Sequence, residues 1–286
     1  LLIKKKFFRP DMGIGIYQDR ECITAVQADL APPWHIRWRE QQALSEPFDN
    51  QALERFFARL HRQAGRQYIP ISIALADPWV HQVLLSFESL PGQTRERNTL
   101  INWRLERDWQ RDAQQHAISW QWLGEQDNQQ WVIVQSIEKN RLEPLQQQAR
   151  EYGLILDSMD TIGNLLLNRI SNPADTALLH LQPDYWSFYV TNNRGWPVYR
   201  RSKWEVPGEE NGAEHFAAQL QRMLVSVGNM TPGRLMLAGN RTALDTNELV
   251  EILGRRLELK IESLDMGHAD TPGEQLAIQA VGNLCH

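Results

Sequence analysis

Two glycines one residue apart, Gly13 and Gly15, lie in a run of strand-forming residues and open what a dinucleotide fingerprint requires, a backbone that can approach a phosphate. No third glycine opens a helix after them, and the run leads into a hairpin. The pair therefore predicts close packing of a neighbouring element on the strand. His180 falls on a predicted core strand, but none of the 8 histidines stands four residues from another, as two ligands on one helical face would. An imidazole needs a partner to move protons, and the sequence offers His180 none, so a hydrogen-bonded core histidine is expected. The chain has no Gly-x-x-x-x-Gly-Lys loop, no Gly-x-Ser-x-Gly elbow and no His-Glu-x-x-His helix. Its 2 cysteines, Cys22 and Cys285, stand at opposite ends, in no spacing that a metal or a redox helix uses.

The composition narrows the partners. With a net charge of -5 over 286 residues, the chain lacks the field of Lys and Arg that holds nucleic acid without regard to sequence. Its apolar runs fall far short of the ~20 residues that span a bilayer. A reduced, cytoplasmic protein is expected. The first residues, LLIKKKFFRP, place Lys4 to Lys6 between Leu1, Leu2 and Phe7, Phe8. Three lysines support at most weak peripheral contact with an anionic membrane face.

The elements that would position these residues form one pattern written twice. Gly13 to Tyr17, Glu21 to Gln27 and Trp34 to Glu40 read as three strands. A helix capped at Asp49 or Asn50 follows, with Leu53, Phe56, Phe57 and Leu60 on one face, and then a buried strand, Ile69 to Ala76. The second copy has strands at Thr176 to Leu181, Tyr185 to Thr191 and Trp196 to Trp204, a helix at Ala213 to Val227 and a buried strand at Arg234 to Ala238. The duplication predicts two similar lobes. Between the copies, Val80 to Ile137 reads as a small α+β subdomain with the helix Thr94 to Trp109. The chain returns through Asn140 to Tyr152 and Leu154 to Asp160 to a boundary at Asn172 to Asp175. The division is a leader over 1–11, a first lobe over 12–79 and 138–171, an inserted subdomain over 80–137 and a second lobe over 172–286.

Tryptophan is unevenly spread. Of 11 residues, Trp103, Trp109, Trp120, Trp122 and Trp131 fall in or beside the insertion. Trp103 and Trp109, six apart on one helix, cannot both occupy the centre of its buried stripe, so at least one should be exposed and available to a partner. Trp120 and Trp122 point the same way on one strand, which would let them build that sheet's core instead.

The order of these elements, together with several local phrases, resembles the PilM family of type IV pilus assembly proteins, and within it the mannose-sensitive (MSHA) pilus biogenesis branch of MshI. The basic start running into GIGIY is similar to the family's leader and Gly-Ile-Asp-Ile strand. The stretch RLEPLQQQAREYGLILDSMDTIGNLL resembles its helix, strand and helix, and EQLAIQAVG its terminal helix. The resemblance covers essentially the whole chain. It implies an actin-like, ribonuclease H-like α/β fold with two duplicated lobes and a small α+β insertion in the first. It also implies a cytoplasmic scaffold, peripheral at the inner-membrane face, that holds the tail of a PilN-like membrane protein and communicates with an assembly ATPase.

Set against that family, the nucleotide positions are degenerate. Gly15 stands where the carboxylate that orders the metal is expected, and Tyr17 and Gln18 where small or hydroxyl residues would be. The second phosphate loop has His180, Gln182 and Asp184 around Pro183, in place of Asp then Gly. Only Gly239 and Asn240 keep the outline of an adenosine loop. No catalysis and no cofactor are expected, ATP being the one candidate that the fold would offer. The competing expectations are an actin-like switch or weak ATPase with a rewired site, the cytoplasmic component of a type II secretion platform, and an adaptor unrelated to pili.

Overall fold

The computed structural model describes residues 12–30, 35–65, 69–170, 176–182, 185–191, 197–203, 212–226, 232–239, 246–264 and 272–282. The expected leader and the 172–175 boundary lie outside these residues. Contacts divide the chain into two compact units, one of Leu1–Ala76, Lys139–Leu165 and Gly267–His286, the other of Asp77–Glu138 and Leu166–Met266.

In the first unit, β1 (Met12–Gln18) and β2 (Cys22–Asp29) are buried along almost their whole length, as apolar strands with a covered sheet on both faces should be. β3 (Ile36–Ala43) alternates half-buried and exposed residues, the period of an edge strand. α1 (Asn50–Ala64) begins where the sequence places a cap: the Asp49 carboxylate accepts the Gln51 and Ala52 N–H groups at 3.0 and 3.1 Å. The helix buries Leu53, Phe56, Phe57 and Leu60 and ends at Gly65, whose φ of 70° favours glycine. β4 (Pro70–Leu75) then pairs parallel to β1, setting Ile14 beside Ile71 and Ile16 beside Ile73.

After a 3-10 turn at Asp77–Trp79 the chain builds a three-stranded antiparallel sheet from β5 (His81–Phe87), β6 (His116–Gln126) and β7 (Gln129–Glu138), in the order β5-β7-β6. Asp127 and Asn128 both have positive φ, the geometry of a two-residue hairpin loop. α2 (Thr94–Trp109) covers one face through Ile101 and Leu105, which pack with Val83, Leu85, Phe87, Val132 and Val134.

α3 (Lys139–Glu151) and β8 (Ile155–Thr161) complete the first sheet, with strand order β3-β2-β1-β4-β8. α4 (Ile162–Leu167) follows. The second large sheet repeats that order as β11-β10-β9-β12-β13, from β9 (Thr176–Leu181), β10 (Tyr185–Thr191), β11 (Pro197–Lys203), β12 (Arg234–Ala238) and β13 (Lys260–Ser263). In both sheets the first three strands are antiparallel and the last two join in parallel. α5 (Gly212–Ser226) and α6 (Thr246–Leu257) pack on the second, with Trp186, Phe188 and Phe216 at its centre. α7 (Pro272–Gly282) lies on β1, β2 and β4.

The duplicated pattern is thus present, and it includes two elements that the sequence reading did not describe, α6 and β13. Although the 80–137 segment interrupts the first lobe in chain order, its contacts group it with the second sheet, partly because β11 lies against β5.

The burial pattern on α2 makes a direct prediction. Leu105→Ala should lower stability by about 2–5 kcal/mol, the scale of a buried leucine. Trp103→Ala, on the exposed face, should cost about 1 kcal/mol or less, the scale of the Arg107 guanidinium stacked 4.4 Å above its ring. Urea unfolding of the two variants measures both.

Candidate functional site

The residues expected at nucleotide positions fall into one group in each unit. In the first unit, Gly15 faces α7. A Cβ built on Gly15 would lie 1.9 Å from the Ala277 carbonyl oxygen and 2.7 Å from the Val281 nitrogen. Both are backbone atoms, so no rotamer change relieves the overlap. Gly13 is buried on the same side of β1 by the two-residue period. Gly15 is required by helix packing, and the position at which a metal-ordering carboxylate was sought has no room for any side chain.

The turn after β1 is closed from within. Asp19 Oδ1 accepts the N–H groups of Glu21 and Cys22 at 2.9 and 2.8 Å, while the Asp19 N–H donates to the Cys22 carbonyl at 3.0 Å. Two neighbouring amides converging on one oxygen form an anion-binding nest, and here the anion is the chain's own carboxylate. Burial, with the Asp19 charge second, pushes the Cys22 thiol up to about 11, so it stays protonated at neutral pH. Gln18 is fully buried, its carbonyl accepting the Ala76 N–H at 3.1 Å, and its side-chain amide has no hydrogen-bond partner among the described residues.

In the second unit the partner that the sequence did not reveal for His180 is Asp77, 103 residues earlier, at the start of the 3-10 turn. His180 Nδ1 lies 3.4 Å from Asp77 Oδ2, and Gln182 Nε2 lies 2.6 Å from His180 Nε2. Each ring nitrogen of His180 thus faces one polar side chain, the Asp77 carboxylate on one side and the Gln182 amide on the other. Arg201 donates to the Asp77 carbonyl at 2.8 Å. Tyr189 and Tyr199 complete the group; burial first, then the Asp77 charge, raises both phenols well above their ordinary range. His180 is 0% exposed and Asp77 1%, so the pair is sealed from solvent. Such a cluster can order the chain but gives a substrate no approach to the imidazole.

Gln182 closes the β9–β10 hairpin, its N–H donating to the Tyr185 carbonyl at 3.0 Å. That amide is spent, as it would be in any tight hairpin. Gly239 has a φ of 79°, and a Cβ there would meet the Leu181 carbonyl oxygen at 2.2 Å, so its glycine too is required by packing. Asp184 and Asn240 lie outside the described residues.

Trp103 and Trp109 are both exposed, at 50% and 44%, where their spacing required this of at least one. Trp120 packs on the α2 core and donates to Asn98 Oδ1 at 2.7 Å, but Trp122 is 56% exposed. The expectation that these two together build the core is correct for Trp120 alone: Trp122 lies at the register shift before Gly124, where the strand's regular alternation breaks. Trp109 packs against His81, with ring centroids 5.3 Å apart. Burial, then the charges of Arg111, Arg201 and His116, hold the His81 imidazole down at about 4.

Two outcomes follow from this geometry. Gly15→Ala should destabilise the chain by about 1–3 kcal/mol or more, and Gly15→Asp should fold less well still, both read as a lowered thermal midpoint. For His81 the folded chain binds its proton less readily than the unfolded one does. Its contribution is therefore fully present above about pH 6.5 and is lost as pH falls towards about 4. Because the ring is only half-buried, the loss is discounted to about 1 kcal/mol. Urea midpoints at about pH 7 and about pH 4.5 should differ less in His81→Asn than in the native chain.

The sequence matches no family model and no characterised relative. Solved structures do match. A PilM-PilN type IV pilus biogenesis complex superposes with a TM-score of 0.71 at 14% identity, over 97% of this chain and 99% of the matched one. A Bacteroides thetaiotaomicron protein of actin-like ATPase fold and unknown function gives 0.60 at 12% identity, over 96% of each chain. The cytoplasmic domain of EpsL, an inner-membrane component of the Vibrio cholerae type II secretion system, gives 0.55 at 13%, over 94% of each. These likenesses extend over nearly the whole chain and agree with the repeated strand order: the chain has the actin-like fold.

Proposed function

We propose that the chain is a non-catalytic scaffold of the inner-membrane platform of a type IV pilus, which holds the cytoplasmic tail of a PilN-like membrane protein. The end-to-end likeness to a chain of a PilM-PilN complex carries this reading. The likeness to the EpsL cytoplasmic domain supports the same role in a type II secretion platform as the second reading. Among the described residues no helix is long and apolar enough to cross a membrane, so attachment through a membrane partner fits the role. Placement in the MSHA pilus branch and contact with an assembly ATPase are parts of the proposal that rest on the sequence resemblance.

The absence of turnover is proposed on chemical grounds. Phosphoryl transfer needs a carboxylate to order the metal and its waters, and backbone donors to hold the phosphates. Gly15 is pressed against α7, and the Glu21 and Cys22 amides already hold Asp19. The rewired-switch alternative requires both contacts to open. Trp103 and Trp109 are the proposed anchors for the tail, being exposed aromatics of the kind that dominate binding energy.

Titration calorimetry tests the reading in two arms. Magnesium ATP should give no saturable heat, and a synthetic PilN-like tail should bind, with Trp103→Ala or Trp109→Ala weakening it by about 2 kcal/mol while the chain stays folded. Saturable, magnesium-dependent ATP binding would return the chain to the switch class. A tail that fails to bind would remove the scaffold role.

A further inference from the structure

Every sheet edge is an open template for another strand unless charge, proline or a covering element blocks it. Four edges here are blocked by charge: β3 carries Arg37 and Arg39, β8 carries Asp157 and Asp160, β11 carries Arg200 and Lys203, and β13 carries Lys260 and Glu262. β5, the uncharged edge of the small sheet, is approached by β11. β6 remains. It is 11 residues long, among the described residues it pairs only with β7, and from His116 to Leu123 it contains no Asp, Glu, Lys, Arg or Pro. Its bulge at Trp122/Gly124 guards the far end alone, with Glu125 beyond it.

We propose that β6 is a homotypic docking edge, on which a second copy of this chain pairs its own β6 in antiparallel register centred within Ile118–Trp122. Three properties of the strand favour a copy over another segment. A two-fold axis perpendicular to the sheet makes identical strands antiparallel and keeps corresponding faces on the same side. Ile118, Trp120 and Trp122 therefore continue as one apolar face beside their counterparts, and Ser119 and Gln121 as one polar face. The paired stretch is neutral, so self-pairing brings no like charges together, a condition that the like charges of β3, β8 and β11 would fail. Trp122, left 56% exposed by its own unit, gains an apolar neighbour across the axis. An eight-residue edge with one large side chain from each copy is a small interface, so the dimer should be weak and concentration-dependent, with a Kd in the micromolar range.

Sedimentation of the full chain from about 1 to about 100 μM tests this. The native chain should shift from monomer to dimer. Gln121→Lys, on an exposed position, should weaken the dimer at least ~10-fold without moving the thermal midpoint, because an edge lysine is what natural sheets use against pairing. An equimolar mixture of Gln121→Lys and Gln121→Glu should recover dimer that neither forms alone, a result specific to opposed β6 strands. Ser119→Lys serves as a second probe of the same face, should the first fold poorly. A chain that stays monomeric throughout, as it would if the edge serves an extended segment of another protein, overturns the proposal. So does a dimer that both lysine variants leave intact. The tail-binding arm reads the scaffold role separately, so either conclusion can fail without the other.

Discussion

At Gly15 a helix lies directly on a strand. The Ala277 carbonyl and Val281 nitrogen of α7 occupy the space that any Cβ would need, which lets the helix rest on β1, β2 and β4 rather than stand off by a side-chain layer. Close approach maximises dispersion contacts between elements whose facing residues are small, such as Ala277 and Ala280, both fully buried. The same contact leaves no room at Gly15 for the side chain that the sequence resemblance would seek there.

A second economy of polar groups supports the same reading. Backbone amides at tight turns must be satisfied, and they are satisfied either by a ligand or by the chain. After β1 the Asp19 carboxylate takes two of them; after β9 the Gln182 amide is taken by Tyr185, and the Gln182 side chain turns inward to His180. A phosphate would have to displace Asp19 from contacts that are already charge-assisted, which is a competition rather than an empty seat. In both hairpins these donors are taken from within the chain.

The periodicity of the strands and helices was legible because each buries one face against a large sheet, and the Asp49 cap and the exposure of at least one of Trp103 and Trp109 followed from local spacing alone. The pairing of His180 with Asp77 was not legible. Nothing local links two residues 103 positions apart, and Asp77-Pro78 reads as a strand terminator from sequence. Asp19 was hidden for the opposite reason, since an aspartate in a turn is so ordinary that its convergence with two amides has no signature. The helix at Thr246–Leu257 was readable: Leu249, Ile252 and Leu253 lie on one helical face, and that spacing was the available signal.

The small sheet shows why the buried polar group matters to the whole second unit. Three strands and one helix that share a core of Val83, Leu85, Phe87, Ile101, Leu105, Val132 and Val134 bury a modest apolar surface of their own. The connector that leads into them, Asp77–Trp79, is held to the second sheet by His180 on β9 and Arg201 on β11. A buried carboxylate is costly without polar partners, and His180 on β9 faces this one with an imidazole nitrogen. Those contacts carry stability from the large core of Trp186 and Phe188 into a unit that has little of its own, which leaves its outer aromatics, Trp103, Trp109 and Trp122, free of any duty in the core.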